Sequence, residues 1–262
     1  MHGLSLRTKV ALRNLIISQA LIILFLIFAY FTWFPYSFST LGGFTKTALM
    51  LIFADLILGP LLVFIVFKEG KKYLKFDINV LLGIQIIAFV FGAYSLFLKH
   101  PAYAVFTGDR FTLTNVSEIF PYQPWYKDFN RLFLSSPELV VAKLPENEQK
   151  KSDLILDIVL NQQPDIDKRP QFYQPFTTHI DTVFTKNLQA DVIFSNDSAK
   201  QKLQRFLEQQ EGKLSDYAFF PLRGNNKENV IWAFSRKTNL PVGIIKSNPW
   251  AQQNTQQSLV IN

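Results

Sequence analysis

Side chains able to do chemistry are few and scattered in this sequence. The chain contains no cysteine, which excludes disulfides, thiol catalysis and cysteine-based zinc sites. Its three histidines, His2, His100 and His179, are far apart in the sequence. We find no Gly-x-Ser-x-Gly elbow, no glycine-rich phosphate loop and no His-Glu-x-x-His motif. We therefore expect no catalytic residues, no cofactor and no metal site, and we expect that the protein is not an enzyme.

One acidic pair, Asp165 and Asp167, lies close to Asp157. Paired carboxyl groups can serve as general acid and base in hydrolysis. The surrounding stretch, from Pro164 to Pro175, is rich in proline and glutamine and is typical of an irregular connection. We therefore favour a solvated loop over a hydrolytic site.

Asp55 is the most unusual titratable residue, because it lies inside a long apolar stretch. A carboxyl group near the middle of a membrane helix costs about 2.5–3.5 kcal/mol, so it needs a partner. A count at 1.5 Å per residue from Ala48 places Tyr30 and Tyr94 near its level, with Gln85 roughly 9 Å deeper. Asp55 then either joins the helices of its own chain, which we favour, or contacts a partner's membrane helix; a proton relay is the weakest alternative.

Gly59 and Pro60 follow on the same predicted helix. Proline removes a helical hydrogen bond and tends to kink a membrane helix, whereas glycine allows close approach of a neighbour. Asp55, Gly59 and Pro60 are therefore the candidate intramembrane helix contacts.

A second group of interest is a cluster of aromatic residues flanked by prolines. Exposed aromatic clusters often bind partner proteins, although most belong to a core or a membrane-facing patch. Core or membrane packing is the favoured interpretation, and a partner-binding patch is the alternative. The residues concerned are Tyr122, Trp125, Tyr126 and Phe129.

Three apolar stretches must position Asp55, at residues 15–34, 48–67 and 78–98. Each is about 20 residues long, which matches the roughly 30 Å hydrocarbon core of a bilayer. Basic residues precede the first stretch and crowd the loop at residues 68–75. The positive-inside rule then places the N-terminus in the cytoplasm and everything after residue 98 across the membrane. This topology also explains most of the net charge of +7, so we do not expect nucleic-acid binding.

The second half of the chain has the alternating and helical patterns of an α+β domain. The predicted strands are residues 103–107, 110–115, 138–144, 217–222, 229–234 and 242–245, and the predicted helices are 146–160, 176–188 and 197–210. The predicted fold is thus a membrane protein, with a three-helix transmembrane bundle at 1–98 and a periplasmic α+β domain at 99–250. A polar tail at 251–262 is expected to be disordered.

Several strings taken together resemble type IV pilin accessory proteins of the TfpX/TfpZ group. They occur at residues 55–62, 65–67, 71–77, 101–111, 220–224, 242–245 and 249–250, in the same order as in that family. The resemblance implies a bacterial inner-membrane, chaperone-like factor that helps a pilin become stable or enter the pilus. Its partners would be the bilayer and a pilin, contacted through the pilin's membrane helix, its periplasmic head or both.

Two other functions remain open on the sequence alone. A membrane-anchored periplasmic enzyme would need acids or histidines that meet in one pocket of the folded domain. A ligand-binding receptor would fit the topology, although the sequence contains no cytoplasmic output domain.

Overall fold

The fold consists of three long helices and a mixed α/β domain. The computed structural model describes residues 6–35, 38–66, 74–119, 133–134, 137–189, 193–194, 196–225 and 228–250, with backbone alone for 6, 7, 10, 58–66, 74 and 75. Its helices are α1 (Leu6–Trp33), α2 (Phe38–Leu41), α3 (Phe44–Val66), α4 (Leu74–Lys99), α5 (Val116–Ile119), α6 (Glu148–Leu160), α7 (Ile180–Phe184) and α8 (Asp197–Gln209). Its strands are β1 (Pro101–Phe106), β2 (Phe111–Asn115), β3 (Glu138–Ala142), β4 (Tyr173–Pro175), β5 (Tyr217–Arg223), β6 (Asn229–Ser235) and β7 (Pro241–Ile245).

Within the described residues, two helical segments are long and apolar enough to cross a membrane, Ala11–Trp33 and Phe76–Lys99. Their mean hydropathies are 2.4 and 2.2, and in the apolar part of each segment only 17% is buried inside the protein. Both are therefore compatible with membrane anchoring. The side chains of α3 are described only as far as Ile57, so a third span and a three-helix transmembrane bundle stay a prediction.

All three long helices begin before the apolar stretches that predicted them. α1 begins at Leu6, α3 at Phe44 and α4 at Leu74, whereas the apolar stretches begin at residues 15, 48 and 78. The first turns contain threonine, lysine and arginine, which are compatible with a helix and can extend their polar ends towards water. Hydropathy therefore marks where the apolar stretch begins, and the helix itself begins earlier.

The α/β domain is built on a seven-stranded mixed sheet with the strand order β4-β3-β1-β2-β5-β6-β7. β1 and β2 form the antiparallel hairpin predicted across Gly108, which has φ +94°. The β6–β7 hairpin across residues 237–239 is also as predicted, with Asn239 at φ 58°. The parallel pairs β1–β3 and β2–β5 join distant parts of the chain. These pairs give an α+β domain with a mixed sheet.

Two parts of the predicted secondary structure need correction. The segment at 164–175, predicted to be irregular, contains two short 3₁₀ turns and the edge strand β4. The predicted helix at 176–188 is a 3₁₀ turn, Phe176–Thr178, followed by the short helix α7. Its apolar residues have helical spacing, but the β-branched pair at residues 177–178 disfavours a long helix there, and Thr178 Oγ1 donates instead to the Pro175 carbonyl at 2.8 Å.

Among the described residues, three hydrophobic clusters stabilise the fold, and the first of them joins the long helices to the sheet. It contains Trp33 and Phe97 from the helix ends together with Tyr103, Val105 and Val140 from the strands. The second is an aromatic core between the sheet and α2, and the third packs α8 against β5–β7. In the second cluster the rings of Trp232 and Phe234 lie 4.8 Å apart. The sheet is therefore covered partly by residues from the N-terminal third of the chain.

Candidate functional site

Asp55 forms hydrogen bonds between α3 and α1. Its Oδ2 accepts a hydrogen bond from Ser18 Oγ at 2.6 Å and another from Gln19 Nε2 at 3.0 Å. Gln19 Nε2 also donates to the carbonyl of Ile52 at 3.3 Å. Because apolar surroundings strengthen such bonds, this carboxyl group fixes the register of the two helices.

A second polar pair links α1 to α4. Asn14 Nδ2 donates to Gln85 Oε1 at 3.2 Å. The amide nitrogen of Gln85 is buried, and no acceptor lies within hydrogen-bond distance of it among the described residues. A buried donor without a partner costs about 1–3 kcal/mol, so an acceptor that reached this group would stabilise the site.

These polar groups line a groove between α1 and α4, which we call the α1–α4 groove. Its volume is about 220 Å³. Its rim residues Ile17, Leu21, Leu82 and Ile86 are exposed, so the groove opens towards the outside of the helices. Its complete lining is Asn14, Ile17, Ser18, Leu21, Ile22, Asp55, Leu82, Gln85, Ile86 and Phe89. The site therefore has apolar walls and a small polar floor.

The level of Asp55 predicted from the sequence is wrong. α3 begins at Phe44, whose ring packs against that of Tyr30, so Asp55, eleven residues further along α3, lies about 16 Å deeper than Tyr30. Its neighbours are consequently Ser18 and Gln19, and Gln85 lines the same groove. Sequence reasoning missed the α1 partners, although both are polar residues in an apolar stretch and could have been found by that signal.

The structure describes only the backbone at Gly59 and Pro60, where α3 continues unbroken to Val66. Their part in helix contacts stays a prediction. Close approach of helices occurs at Gly92, where an added Cβ atom would lie 2.4 Å from Leu51 Cδ1. An added Cβ atom at Gly83 would have no neighbour within 4 Å. Of these two α4 glycines, Gly92 therefore permits α3 and α4 to approach.

The predicted aromatic patch, Tyr122, Trp125, Tyr126 and Phe129, lies outside the described residues, so its role stays a prediction. A different aromatic group surrounds His100 at the junction of helices and sheet. His100 is buried and stacks on Trp33, with ring centroids 5.4 Å apart. Its Nδ1 donates to the Phe97 carbonyl, and Trp33 Nε1 donates to the Phe133 carbonyl at 2.8 Å. These contacts make His100 part of the packing between the helices and the sheet.

A polar cleft of about 500 Å³ lies at the helix-side end of β2 and β5. Among the described residues, Asp167 Oδ1 and Asn229 Oδ1 are buried there without a donor. Lys168 forms a 2.6 Å ion pair with Glu118 at the same cleft. Burial, and then the charge of Asp165, raises the pKa of the Asp167 carboxyl group above its ordinary value. Asp167 is therefore a half-buried group, which differs from the solvated loop expected for it.

The other members of that acidic group have structural contacts. Asp165 accepts a hydrogen bond from the amide of Ile166 at the start of a 3₁₀ turn. Asp157 accepts one from Asn161 and another from Arg169, at 2.8 Å, and these bonds lower the pKa of Asp157. Within the described part of the chain, no group of three or more His, Asp or Glu residues is placed to hold a metal ion.

Comparison with known proteins finds relatives over most of the chain. The fimbrial assembly protein of serogroup I of Dichelobacter nodosus is 21% identical over 224 residues, covering 82% of this chain and 85% of that protein. The serogroup E1 protein of the same organism is 22% identical over 221 residues, with the same coverage. The protein of serogroups C1 and C2 is 28% identical over 92 residues, covering 34% of this chain and 70% of that protein. No family model and no solved structure matches. These similarities, at low identity, support a family related to fimbrial assembly.

Proposed function

We propose that this chain is an inner-membrane accessory protein of type IV pilus biogenesis, which acts on a pilin as a chaperone-like factor and catalyses no reaction. The observation that carries the proposal is the similarity to fimbrial assembly proteins, which extends over 82% of the chain. A match of that extent includes parts of both the long helices and the α/β domain. We assign two tasks to the long helices.

The first task is membrane insertion, in which α1, α3 and α4 serve as three spans. The outward side chains of α1 and α4 support it, since Phe31, Ile87 and Phe91 are each at least 70% exposed and apolar. Contiguous exposed apolar surface of this extent is unfavourable in water and favourable in lipid. The flanking basic residues then place the N-terminus in the cytoplasm and the α/β domain in the periplasm.

The second task is to hold the membrane helix of a pilin in the α1–α4 groove. The exposed apolar rim would pack against the apolar side chains of such a helix. The unpaired amide nitrogen of Gln85 and the carboxyl group of Asp55 would then meet polar atoms of that helix away from water. Polar contacts between membrane helices are typically worth about 0.6–2 kcal/mol each, which favours a reversible complex. Reversibility is what a protein needs if it must release its pilin into the fibre.

Site-specific photo-crosslinking in the native membrane tests this assignment. A photoreactive residue would replace Leu21 or Leu82, on opposite rims of the groove, and Ile57 as the matched control. Ile57 is 61% exposed and lies two residues from Asp55 on α3, outside the groove lining. We expect a pilin crosslink from Leu21 and Leu82 and a much weaker one from Ile57.

Equal crosslinking from all three positions would contradict a role for the groove. Absence of pilin at every position, together with normal pilin levels and pilus number after deletion of the gene, would contradict the proposed function as a whole.

A further inference from the structure

The exposed apolar residues of the α/β domain are concentrated on one helix, α6. Ile155, Leu156, Val159 and Leu160 are 45%, 52%, 68% and 70% exposed. Leu154, on another face of the helix, is buried and anchors it to the domain. α6 thus turns four large apolar side chains outwards, although a soluble surface helix normally turns them inwards.

The exposed face of α6 changes character along the helix. At 100° per residue, Glu148, Gln149 and Ser152 share the face of the four apolar residues, and all three are exposed. The first two turns of this face are therefore polar and the last two are apolar. Such a change along the axis indicates that the two ends of the helix meet different surroundings.

Strand directions place the apolar end of α6 on the side of the long helices. A single residue, His100, separates the end of α4 from the start of β1. Because β3 runs parallel to β1, β3 ends at the end of the sheet that is farther from the long helices. α6 follows β3 and leads back to Ile166, which packs against the cluster containing Trp33 and Phe97. Its 13 residues span about 20 Å, which matches the length of the six-residue strand β1.

Side-chain contacts hold the last turns of α6 at the end of the sheet nearest the long helices. Arg169 is buried and donates to Asp157 on α6 and to the carbonyl of Pro164. The backbone carbonyl of Asp167, two residues before Arg169, accepts a hydrogen bond from Thr114 Oγ1 near the end of β2. The apolar end of α6 is thereby fixed beside the region where α1 and α4 leave the domain.

We propose that the last two turns of α6 rest in the headgroup region of the bilayer, as an interfacial contact of the α/β domain with lipid. The proposal rests on the membrane insertion of α1 and α4 proposed above. Interfacial helices bury large apolar side chains at the boundary between headgroups and acyl chains and leave their polar residues in water. The lengthwise change of character in α6 fits a helix that meets this boundary with its C-terminal end.

Spin labels test the contact directly, because the chain contains no native cysteine and each introduced cysteine is unique. The full chain would be reconstituted in phosphatidylcholine nanodiscs with labels on Val159→Cys or Leu160→Cys. Gln149→Cys and Ser152→Cys, on the polar half of the same face, are the matched controls. Phe31→Cys and Phe91→Cys, both exposed on the long helices, serve as lipid references. Collision of each label with oxygen and with a water-soluble nickel chelate would be measured.

We expect the oxygen-to-nickel collision ratio to be several-fold higher at residues 159 and 160 than at 149 and 152. A low ratio at 159 and 160, with a high ratio at both references, would overturn the lipid contact and leave the membrane insertion standing. Protection of 159 and 160 from both reagents would show that protein covers the helix and would also overturn it. A low ratio at the references would remove the membrane insertion and this inference together.

Discussion

Asp55 is held by two donors that each have a second acceptor close by. Ser18 Oγ lies 3.1 Å from the Leu15 carbonyl, and Gln19 Nε2 already donates to the Ile52 carbonyl. Loss of the carboxyl group therefore leaves neither donor without an acceptor. What is lost is two of the hydrogen bonds between α1 and α3, while the bond from Gln19 to the Ile52 carbonyl remains.

We accordingly predict a moderate effect of Asp55→Leu on stability in detergent. Two interhelical hydrogen bonds disappear, at about 0.6–1 kcal/mol each, so unfolding should become easier by about 1–2 kcal/mol. Asp55→Asn keeps an acceptor oxygen and should remain within about 0.5 kcal/mol of the wild type. Denaturant titration followed by circular dichroism measures both variants. Equal losses in the two variants would contradict the role of Asp55 as a hydrogen-bond acceptor.

Asp157 and Asp167 should change the stability of the α/β domain with pH in opposite directions. Hydrogen bonds from Asn161 and Arg169 lower the pKa of Asp157 below its ordinary value of 3.8. Its stabilising contribution is therefore complete above pH 3.8 and is lost as the pH falls through the folded-state pKa. Burial raises the pKa of Asp167 above 3.8, so its carboxylate destabilises the fold at neutral pH. That cost is relieved as the pH falls from the folded-state pKa to 3.8.

Two amide variants measure these contributions. At pH 7, Asp157→Asn should lower the free energy of unfolding, because Arg169 is buried and loses its charged acceptor. Asp167→Asn should raise it, because an uncharged group takes the place of a buried carboxylate. For both variants, the difference in the free energy of unfolding from the wild type should shrink below pH 3.8. Asp153→Asn, on the exposed side of α6, provides the control. Differences of the same sign in the two variants would refute this assignment.

The residues of the α1–α4 groove were only partly predictable. Asp55 is identified by its type alone, since a carboxyl group in an apolar stretch is costly and needs a partner. Its partners depend on the depth of each residue, and depth depends on the first residue of each helix. Hydropathy locates the first residue of a helix poorly, because lysine and threonine can be part of the helix before the apolar stretch begins. Ser18, Gln19 and the true level of Gln85 therefore required the structure.

At the scale of elements, the contact between α3 and α4 depends on the small size of Gly92. Gly92→Ala places a Cβ atom within 2.4 Å of Leu51 Cδ1, so the leucine side chain must move. We predict a net loss of up to about 2 kcal/mol, because the cost of about 1–3 kcal/mol typical of overpacking is partly offset by the helix preference of alanine. Gly83→Ala meets open space and should be neutral or stabilising by up to about 1 kcal/mol, because alanine favours helix. Thermal unfolding in detergent separates the two variants.

A rescue variant makes this prediction specific. Combining Gly92→Ala with Leu51→Ala removes the clashing atoms and should recover part of the lost stability. If the double variant shows the two losses added together, the close approach at Gly92 does not limit the packing of α3 on α4.

Elements set by local sequence were predicted well, and those set by distant pairing were not. The hairpins β1–β2 and β6–β7 follow from alternating residues around a turn. The parallel pairs β1–β3 and β2–β5 depend on contacts between remote segments, which a local pattern does not specify. The edge strand β4 contains Gln174 and Pro175, a composition typical of loops, and its two neighbouring 3₁₀ turns place it beside β3. Its position is therefore a consequence of tertiary structure.

At the scale of the whole molecule, the α/β domain is completed by residues from the N-terminal third. Phe38 and Leu41 of α2 are 7% and 2% exposed and belong to the aromatic core with Trp232. Tyr103, Val105 and Val140 share a cluster with Trp33 of α1. The sequence-based division at residue 99 gave no sign of this, because α2 lies in a short loop between apolar stretches.

We therefore predict that a fragment of residues 99–250 is much less stable than the same domain in the full chain. Loss of Phe38 and Leu41 alone removes about 3–6 kcal/mol of hydrophobic stabilisation. The whole free energy of unfolding of a protein is typically about 5–15 kcal/mol. The fragment should bind a hydrophobic dye and unfold with a weak transition. The full chain carrying Phe38→Ala and Leu41→Ala is the control for these two side chains. A fragment that unfolds as cooperatively as the full chain would refute this prediction.

The direct passage from α4 into β1 has a mechanical consequence. Only His100 separates the two elements, and its ring is clamped between the helix ends while its carbonyl accepts the amide of Val116. β1 lies inside the sheet, between β3 and β2, and no flexible linker separates it from α4. We therefore expect the helix and the sheet to move as one rigid unit. Tilting α4 then swings the whole domain through the same angle. Any load that a partner applies to the domain is transmitted as torque to the helices beneath it.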